Sequence, residues 1–285
     1  MPDFKLESVA RAICKTGGFE FGTGIAEGSF KETYQVVKSD GTRLALKVLK
    51  PGSSPERSER EVEAMQRCTH VNIAKLIVLA DFTHEGQKYT FLVEEFMDGG
   101  TLDDHLKSGL LGRGAVLDLG AALIDAIAHI AAKELVHRDL KPANIMFRTP
   151  GGAPVVVDFG IVRDLRKSSL TGSYLGMGPG TPYFAPPEQL NNEKMLIDWR
   201  ADQFALGIVL SLAHLGFHPY AEVGDDPGQT IARVAARAEP AARFLDAVAV
   251  SALPILGQMV SKWPVERIRT PNALLDGWMK QKTKA

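Results

Sequence analysis

The residues best suited to catalysis lie in a short segment near the middle of the chain. Residues 137–144 read HRDLKPAN, which places Asp139 and Lys141 two positions apart and Asn144 shortly after them. On an irregular loop, an Asp and a Lys at this spacing can face one site. There the carboxylate can accept a hydroxyl proton while the ammonium offsets negative charge on a phosphoryl group. The side chain of Asn144 can hold a metal ion.

A second segment, residues 155–160, adds a carboxylate suited to a hard metal ion. It reads VVVDFG, so Asp158 comes directly after a short buried strand and is soon followed by a glycine. Mg²⁺ is a hard ion that prefers oxygen ligands. The two segments therefore predict a site for phosphoryl transfer, with Asn144 and Asp158 as candidate metal ligands.

Together the two segments resemble the eukaryotic-type protein kinase family, Ser/Thr type. The pattern HRDLKPxN, with DFG beginning fourteen residues after its Asn, carries the resemblance, which extends over about residues 20–281. It implies an α+β fold of two lobes, a small β-rich N-lobe and a larger helical C-lobe. It also implies ATP and Mg²⁺ as cofactors, Asp139 and Lys141 as catalytic residues, and Asn144 and Asp158 as metal ligands.

A lysine and a glutamate in the first third of the chain resemble the pair that positions the nucleotide. Ala45 and Lys47 match the third-strand segment whose lysine grips the α- and β-phosphates. Its partner should be a glutamate on a helix. Glu61, Met65 and Cys68 share one helical face, and the last two favour the interior. Glu61 is therefore the acid expected to face the core and Lys47.

Residues 90–102 resemble the hinge that joins the two lobes. The resemblance implies that the backbone of Glu95 and Met97 hydrogen-bonds adenine, and it places Glu94 behind the adenine pocket. A carboxylate at that position is unusual. Either Glu94 pairs with Lys47, or the register is off by one; the match to the family's EFxxGGxL pattern favours the register given.

The nucleotide loop departs most from the family pattern GxGxxGxV. Residues 26–33 read AEGSFKET, so Gly28 alone is retained. Lys31 adds a charge that either reaches the phosphates or points to solvent, and Thr33 replaces the usual Val over adenine. These departures affect the expected ATP affinity and rate more than the fold. The remaining predicted nucleotide contacts come from both lobes: Ile25, Ala26, Gly28, Lys31, Thr33, Ala45 and Met146.

The C-terminal half carries features typical of kinases that act on proteins. Residues 180–188 read GTPYFAPPE and resemble the segment that docks the acceptor peptide, with Thr181 among the catalytic residues. The resemblance implies a buried ion pair between Glu188 and Arg267. Residues 202–207, DQFALG, resemble the helix start that anchors the catalytic loop.

The predicted activity is ATP- and Mg²⁺-dependent transfer of the γ-phosphoryl group to Ser or Thr of protein substrates. Lys141 and the sequence GTP at 180–182 are the Ser/Thr-type variants. Arg138 resembles the arginine that binds a phosphate on the activation loop, which predicts autophosphorylation within 168–174, at Thr171 and Ser173 first. Two other functions remain: a pseudokinase that acts as a binding or scaffold module, and a small-molecule phosphotransferase.

Composition is that of an ordinary globular protein and argues against several other classes of protein. The chain has 285 residues, 45% hydrophobic and 24% charged, with a formal net charge of −1. That charge gives no basic footprint for nucleic acid or an anionic membrane. Two cysteines make neither a disulfide framework nor a four-thiolate zinc site. We expect a cytoplasmic protein without a signal peptide or a membrane span, controlled through residues 1–18 or by a separate partner protein.

The pattern of apolar residues predicts the elements that position these residues. Leu6, Val9, Ala10 and Ile13 predict a helix that glycines 17 and 18 end, so that 1–18 forms an extension and 19–281 the kinase domain, with lobes 19–97 and 98–281. The further predicted elements are strands at 34–37, 44–48, 76–82, 89–95, 145–147 and 155–157, and helices at 54–67 and 115–134. The sequence SDG at 39–41 predicts a turn between the first two strands.

Overall fold

The N-terminal lobe is built on one antiparallel sheet. The computed structural model describes residues 5–28, 31–51, 66, 68–158 and 182–282. The sheet has the order β1-β2-β3-β5-β4, with strands β1 (Glu20–Glu27), β2 (Lys31–Val37), β3 (Arg43–Leu49), β4 (Leu76–His84) and β5 (Gln87–Glu95). This sheet, followed by a mostly helical second lobe, confirms the predicted α+β fold.

Two tight turns set the strand lengths of this sheet. Gly41 has φ 83° in the turn between β2 and β3, at the predicted position. Glu85 and Gly86 alone connect β4 to β5, with φ 49° and 78°. Two successive positive φ angles are typical of a type I′ hairpin, whose twist matches that of the strands. The hairpin therefore extends the predicted strands by two residues on each side, although those residues are polar.

A helix at the N-terminus, α1 (Glu7–Gly17), covers one face of the sheet. It ends at Gly18, whose φ of 71° is the left-handed conformation that glycine adopts easily. Its buried side chains, including Val9 and Ile13, join one apolar cluster with Tyr34, Val36 and other side chains of the sheet. The helix is thus part of the N-lobe core and does not extend away from the lobe.

A buried carboxylate on β2 holds the start of this helix. Glu32 is fully buried and accepts hydrogen bonds from the backbone N–H groups of Lys5 (3.1 Å) and Leu6 (2.9 Å) and from the hydroxyl of Tyr34. Side chains alternate along a strand, so Lys31 and Thr33 face the opposite side of β2. One strand therefore carries the helix contact on one face and predicted nucleotide contacts on the other.

Replacing Tyr34 by Phe is expected to destabilise the N-lobe by about 1–3 kcal/mol, because the buried Glu32 carboxylate would lose a donor. The measurement is the free energy of unfolding from urea titration. Tyr89→Phe is the matched control, since Tyr89 packs half-buried against the same cluster. Equal stability of the two variants would contradict a role for the Tyr34 hydroxyl in holding Glu32.

The C-terminal lobe packs its helices around a large apolar core. The helices are α2 (Leu102–Leu106), α3 (Arg113–Ala131), α4 (Pro187–Leu190), α5 (Trp199–Leu215), α6 (Pro227–Ala235), α7 (Ala242–Val250), α8 (Ile255–Met259) and α9 (Pro271–Lys282). Strands β6 (Ile145–Phe147) and β7 (Pro154–Val156) form a small antiparallel sheet beside them. These helices and strands frame the loop that contains residues 137–144.

The central helix of this lobe is α3, which contacts α5 and α9. By length and composition it is apolar enough to cross a membrane, but half of it is buried inside the protein. Gly120 allows α9 to approach closely, because a Cβ there would lie 2.2 Å from the Trp278 ring. The predicted helix at 115–134 is confirmed as a core helix, but it ends at Ala131, shortly before Glu134 with φ 58°.

Candidate active site

The loop between α3 and β6 gathers the three predicted catalytic-loop side chains. The Asp139 carboxylate accepts hydrogen bonds from Lys141 Nζ at 2.9 and 3.2 Å and from Asn144 Nδ2 at 2.9 Å. Asn144 Nδ2 also donates to the Asp139 backbone carbonyl at 2.8 Å. The Asp139 side chain remains 40% exposed, so it is held in place and still open to a substrate.

A buried aspartate at the start of α5 fixes the backbone of this loop. Asp202 is 1% exposed and accepts hydrogen bonds from the N–H groups of His137 and Arg138, both at 2.8 Å. Burial raises the pKa of Asp202, although these N–H groups and His137 oppose the shift. Arg138 adopts φ 65°, and the His137 ring contacts the Val157 carbonyl at 3.1 Å. The predicted anchoring role of the 202–207 helix start is confirmed.

Four alternating charges form a network between the lobes. Lys47 Nζ lies 2.5 Å from Glu94 Oε2 and 2.5 Å from Asp158 Oδ1, and Lys31 Nζ lies 2.5 Å from the same Asp158 oxygen. Burial alone would raise the pKa of Asp158, but the two lysines hold it well below its usual range. Burial would likewise lower the pKa of Lys47, but Asp158 and Glu94 raise it. The network therefore places two lysine side chains against two carboxylate side chains.

This network answers two questions that the sequence leaves open, namely what Glu94 pairs with and where the Lys31 side chain points. Glu94 pairs with Lys47, and Ala45 opposes Glu94 in the β3–β5 register. The Lys31 side chain points into the site and is 19% exposed, so the solvent-facing interpretation is wrong. Burial lowers the pKa of Lys31, an effect that Asp158 opposes. Lys31 is thus a second lysine beside Asp158, at a position where the family pattern has glycine.

The β1–β2 hairpin contains the predicted nucleotide-loop residues. Ala26 pairs with Thr33, and the Gly28 N–H donates to the Lys31 carbonyl at 2.8 Å. Ile25 is 42% exposed on β1. These residues occupy one hairpin beside Lys47, as the resemblance implies, and their nucleotide contacts stay a prediction.

The hinge residues are held against the C-lobe. Met97 is 5% exposed in a small apolar cluster against which Met146 packs. Arg148 pairs with the Glu95 carboxylate and donates to the Val71 carbonyl at 2.9 Å. The hinge is therefore tied to the C-lobe by an arginine that no motif indicates. Met146, another predicted nucleotide contact, packs against the cluster that contains Met97, and its contact with a nucleotide stays a prediction.

Two predicted site residues and the phosphorylation segment lie outside the described residues. They are Glu61, Thr181 and residues 168–174, and the helix predicted at 54–67 falls almost entirely in the same gaps. Their predicted roles remain predictions.

The oxygen donors of Asn144 and Asp158 fit Mg²⁺. The Val157 N–H donates to the Asn144 carbonyl at 3.0 Å, which brings the catalytic loop beside the residue preceding Asp158. One carboxylate and one amide oxygen suit Mg²⁺, which usually takes its remaining ligands from water and substrate phosphates. Across the described part of the chain, no three His, Cys, Asp or Glu side chains gather as a metal cage. Asn144 and Asp158 are thus the described side chains that would hold Mg²⁺.

The predicted ion pair of the C-lobe is confirmed and fully buried. Arg267 contacts Glu188 through two bonds of 2.5 and 2.9 Å, and both side chains are 0% exposed. Arg267 also donates to the carbonyls of Ser261 (2.8 Å) and Arg200 (3.0 Å). Gln189, which follows Glu188, donates to the Arg138 carbonyl at 3.2 Å. Gln189 thus connects α4 to the catalytic loop, a role that sequence reasoning missed.

A buried histidine, also missed, supports the segment before α4. The His218 ring is within 3.0 Å of the Tyr183 carbonyl through Nε2, and its Nδ1 accepts from the Tyr220 N–H at 3.1 Å. Nε2 therefore carries the proton and donates. Burial lowers the pKa of His218 to about 3, so the ring is neutral in the folded protein.

His218 is expected to make stability depend on pH. In the unfolded chain the His218 ring binds a proton near pH 6.5, whereas in the folded chain burial keeps the ring neutral at that pH. Stability present above about pH 6.5 is therefore lost as the pH falls toward about 3. We expect the free energy of unfolding of His218→Asn to change less steeply than that of wild type between pH 6.5 and 4. His84→Asn, at the edge of the sheet, is the control, and identical slopes for His218→Asn and wild type would contradict the assignment.

Comparison with known proteins agrees with this geometry. Residues 19–279 match the family described as protein kinase domain. The chain is 30% identical to human ribosomal protein S6 kinase alpha-2, 32% to rat dual specificity testis-specific protein kinase 1 and 31% to serine/threonine-protein kinase Pkn1 of Myxococcus xanthus, over 93%, 72% and 80% of its length. It spans 36%, 32% and 33% of those proteins, about a third of each. The chain belongs to the protein kinase family.

Proposed function

We propose that this chain transfers the γ-phosphoryl group of ATP, with Mg²⁺, to Ser or Thr side chains of protein substrates. The observation that carries the proposal is the Asp139 carboxylate, which Lys141 and Asn144 hold while it stays partly exposed. A positioned carboxylate of this kind can accept the proton of an acceptor hydroxyl. The proposal includes a cytoplasmic setting and autophosphorylation at Thr171 or Ser173.

The residues of the site divide the work of phosphoryl transfer. Asp139 orients the acceptor hydroxyl and accepts its proton, while Lys141 offsets charge on the transferred group. Lys47 and Lys31 contact the phosphates, and the hinge backbone at 95–97 binds adenine. Asp158 and Asn144 would hold Mg²⁺, which would offset negative charge on the phosphates. Positioning and electrostatics account for most of such catalysis.

The preference for Ser and Thr rests on Lys141 and the GTP sequence at 180–182. The names of the relatives support protein kinase activity without fixing the acceptor residue, because they include a serine/threonine-protein kinase and a dual specificity kinase. Acceptor identity is therefore part of the test.

The decisive experiment incubates the purified chain with Mg²⁺ and ATP labelled at the γ-phosphate, beside Asp139→Ala, with phosphosites located by mass spectrometry. We expect label on Ser or Thr of the wild type alone, including residues within 168–174. Nucleotide binding without label would indicate a pseudokinase. Transfer to a metabolite but to no protein would indicate a small-molecule phosphotransferase.

Lys31→Met is expected to weaken ADP binding by about 10- to 150-fold, which corresponds to the loss of one hydrogen bond to a charged group, about 1.5–3 kcal/mol. The nucleotide loop keeps a single glycine, so it offers few bare backbone amides to phosphate. Lys31, which lies beside Asp158, supplies a side-chain donor at the position of a missing glycine. Calorimetric titration with ADP measures the effect. Lys38→Met, just after β2, is the matched control, and an unchanged ADP affinity of Lys31→Met would show that Lys31 does not contact phosphate.

A further inference from the structure

The pair between Lys47 and Glu94 is set by the register of the sheet. Ala45 opposes Glu94 and Lys47 opposes Leu92 on the neighbouring strands β3 and β5. Lys47 and Glu94 are therefore diagonal neighbours on the same face, which is within reach for long side chains. Their charged atoms lie 2.5 Å apart, and the two side chains are 8% and 3% exposed.

The burial of Glu94 determines what this carboxylate can do. An ionised carboxylate taken out of water needs a cation or hydrogen-bond donors nearby. In the described part of the chain, Lys47 is the partner that the Glu94 carboxylate contacts. The carboxylate behind the predicted adenine site is thus already engaged by Lys47.

The partner implied by family resemblance is different. Resemblance assigns Lys47 to Glu61, on a predicted helix, whereas Glu94 belongs to the same sheet as Lys47. A strand partner is fixed relative to Lys47 by the backbone hydrogen bonds of β3 and β5, which set the distance between the two side chains. We propose that Glu94 is the positioning residue of Lys47, anchoring its ammonium from within the sheet so that its contact with nucleotide phosphates depends on Glu94 more than on Glu61.

Loss of Glu94 would shift the balance of the network. Lys31 and Lys47 both contact Asp158 Oδ1. Lys47 also contacts Glu94, which attracts its side chain away from Asp158. Without that carboxylate, Lys31 and Lys47 would share Asp158 as their only described acidic partner, and Lys47 would be held on Asp158. The Lys47 ammonium would then move away from its predicted position beside the phosphates, and the Asp158 carboxylate away from its predicted position beside the metal ion. The effect rests on the proposed function, because it acts through the nucleotide phosphates.

The test compares two ligands that differ in phosphate. ADP with Mg²⁺ and adenosine are titrated calorimetrically into wild type, Glu94→Gln, Glu94→Asp and Glu61→Gln. We expect Glu94→Gln to weaken ADP binding at least tenfold and adenosine binding less than twofold. Glu94→Asp, which keeps the charge, should regain most of the ADP affinity, and Glu61→Gln should weaken ADP binding less than Glu94→Gln does.

A double-mutant cycle separates positioning from a general structural role. In a Lys47→Met background, Glu94→Gln should cause no further loss of ADP affinity, because its effect passes through Lys47. Equal losses for ADP and adenosine, an additive loss in the Lys47→Met background, or a larger loss from Glu61→Gln would each overturn the proposal. If the wild type binds ADP but phosphorylates no protein, the proposed function fails while the positioning role stands.

Discussion

Asp139→Asn is expected to lower kcat for phosphoryl transfer by about 10²- to 10⁴-fold, the contribution of a positioned general base. Asn has nearly the same shape and can still accept the hydrogen bond from Asn144, so the loop should keep its conformation. It cannot take the acceptor proton, and it no longer attracts the Lys141 ammonium. Steady-state kinetics with a Ser- and Thr-containing peptide measure kcat, and ADP titration tests whether the nucleotide site is retained.

The control for this prediction is Asp103→Asn, which alters an exposed carboxylate on α2 paired weakly with Lys107 at 3.7 Å. It should leave kcat unchanged. A loss of less than tenfold for Asp139→Asn would mean that proton transfer from the hydroxyl does not require this carboxylate.

The second large effect is on stability. Arg267→Met is expected to destabilise the protein by about 3–5 kcal/mol, because it leaves the Glu188 carboxylate buried without its cation. Both side chains are 0% exposed, so water cannot replace the lost partner. Urea unfolding monitored by tryptophan fluorescence gives the change in free energy.

Two comparisons sharpen this prediction. Arg11→Met removes an exposed ion pair with Glu7 on α1 and should cost less than about 1 kcal/mol. The double variant Glu188→Leu with Arg267→Met removes both charges and should be more stable than Arg267→Met alone. If the losses of stability of Glu188→Leu and Arg267→Met, each measured alone, add up to the loss of the double variant, the pair is not coupled and the buried contact does not stabilise the lobe.

Predictions that depend on local sequence agree with the structure. The turn at Gly41, the end of α1 at Gly18 and the spacing of Asp139, Lys141 and Asn144 follow from residue types that fix backbone geometry or chemistry nearby. The Glu188–Arg267 pair spans 79 positions, and it is predictable because family resemblance supplies both partners.

Features that depend on tertiary contacts were beyond sequence reasoning. Alternation along β2 predicts that Tyr34 and Val36 are buried, but it also puts the carboxylate of Glu32 among apolar residues. That burial is understandable only once the two residues before α1, Lys5 and Leu6, supply backbone N–H donors from 27 and 26 positions away. The direction of Lys31 likewise depends on where Asp158 lies in the other lobe. Arg148 and His218 stabilise backbone carbonyls of distant segments, and no motif marks them.

The two faces of β2 carry different contacts, one with the start of α1 and one at the predicted nucleotide site. This restricts where residues can be inserted into or deleted from the chain. A strand repeats its faces every two residues, so one inserted or deleted residue exchanges the two faces beyond that point. In β2 such a change would turn Glu32 toward the predicted nucleotide site and Lys31 into the apolar cluster beneath α1, or break the pairing with β3. The turn at 39–41 has exposed residues and can absorb added ones. Length variation among natural or engineered versions of this lobe should therefore occur at that turn and be absent from 31–37.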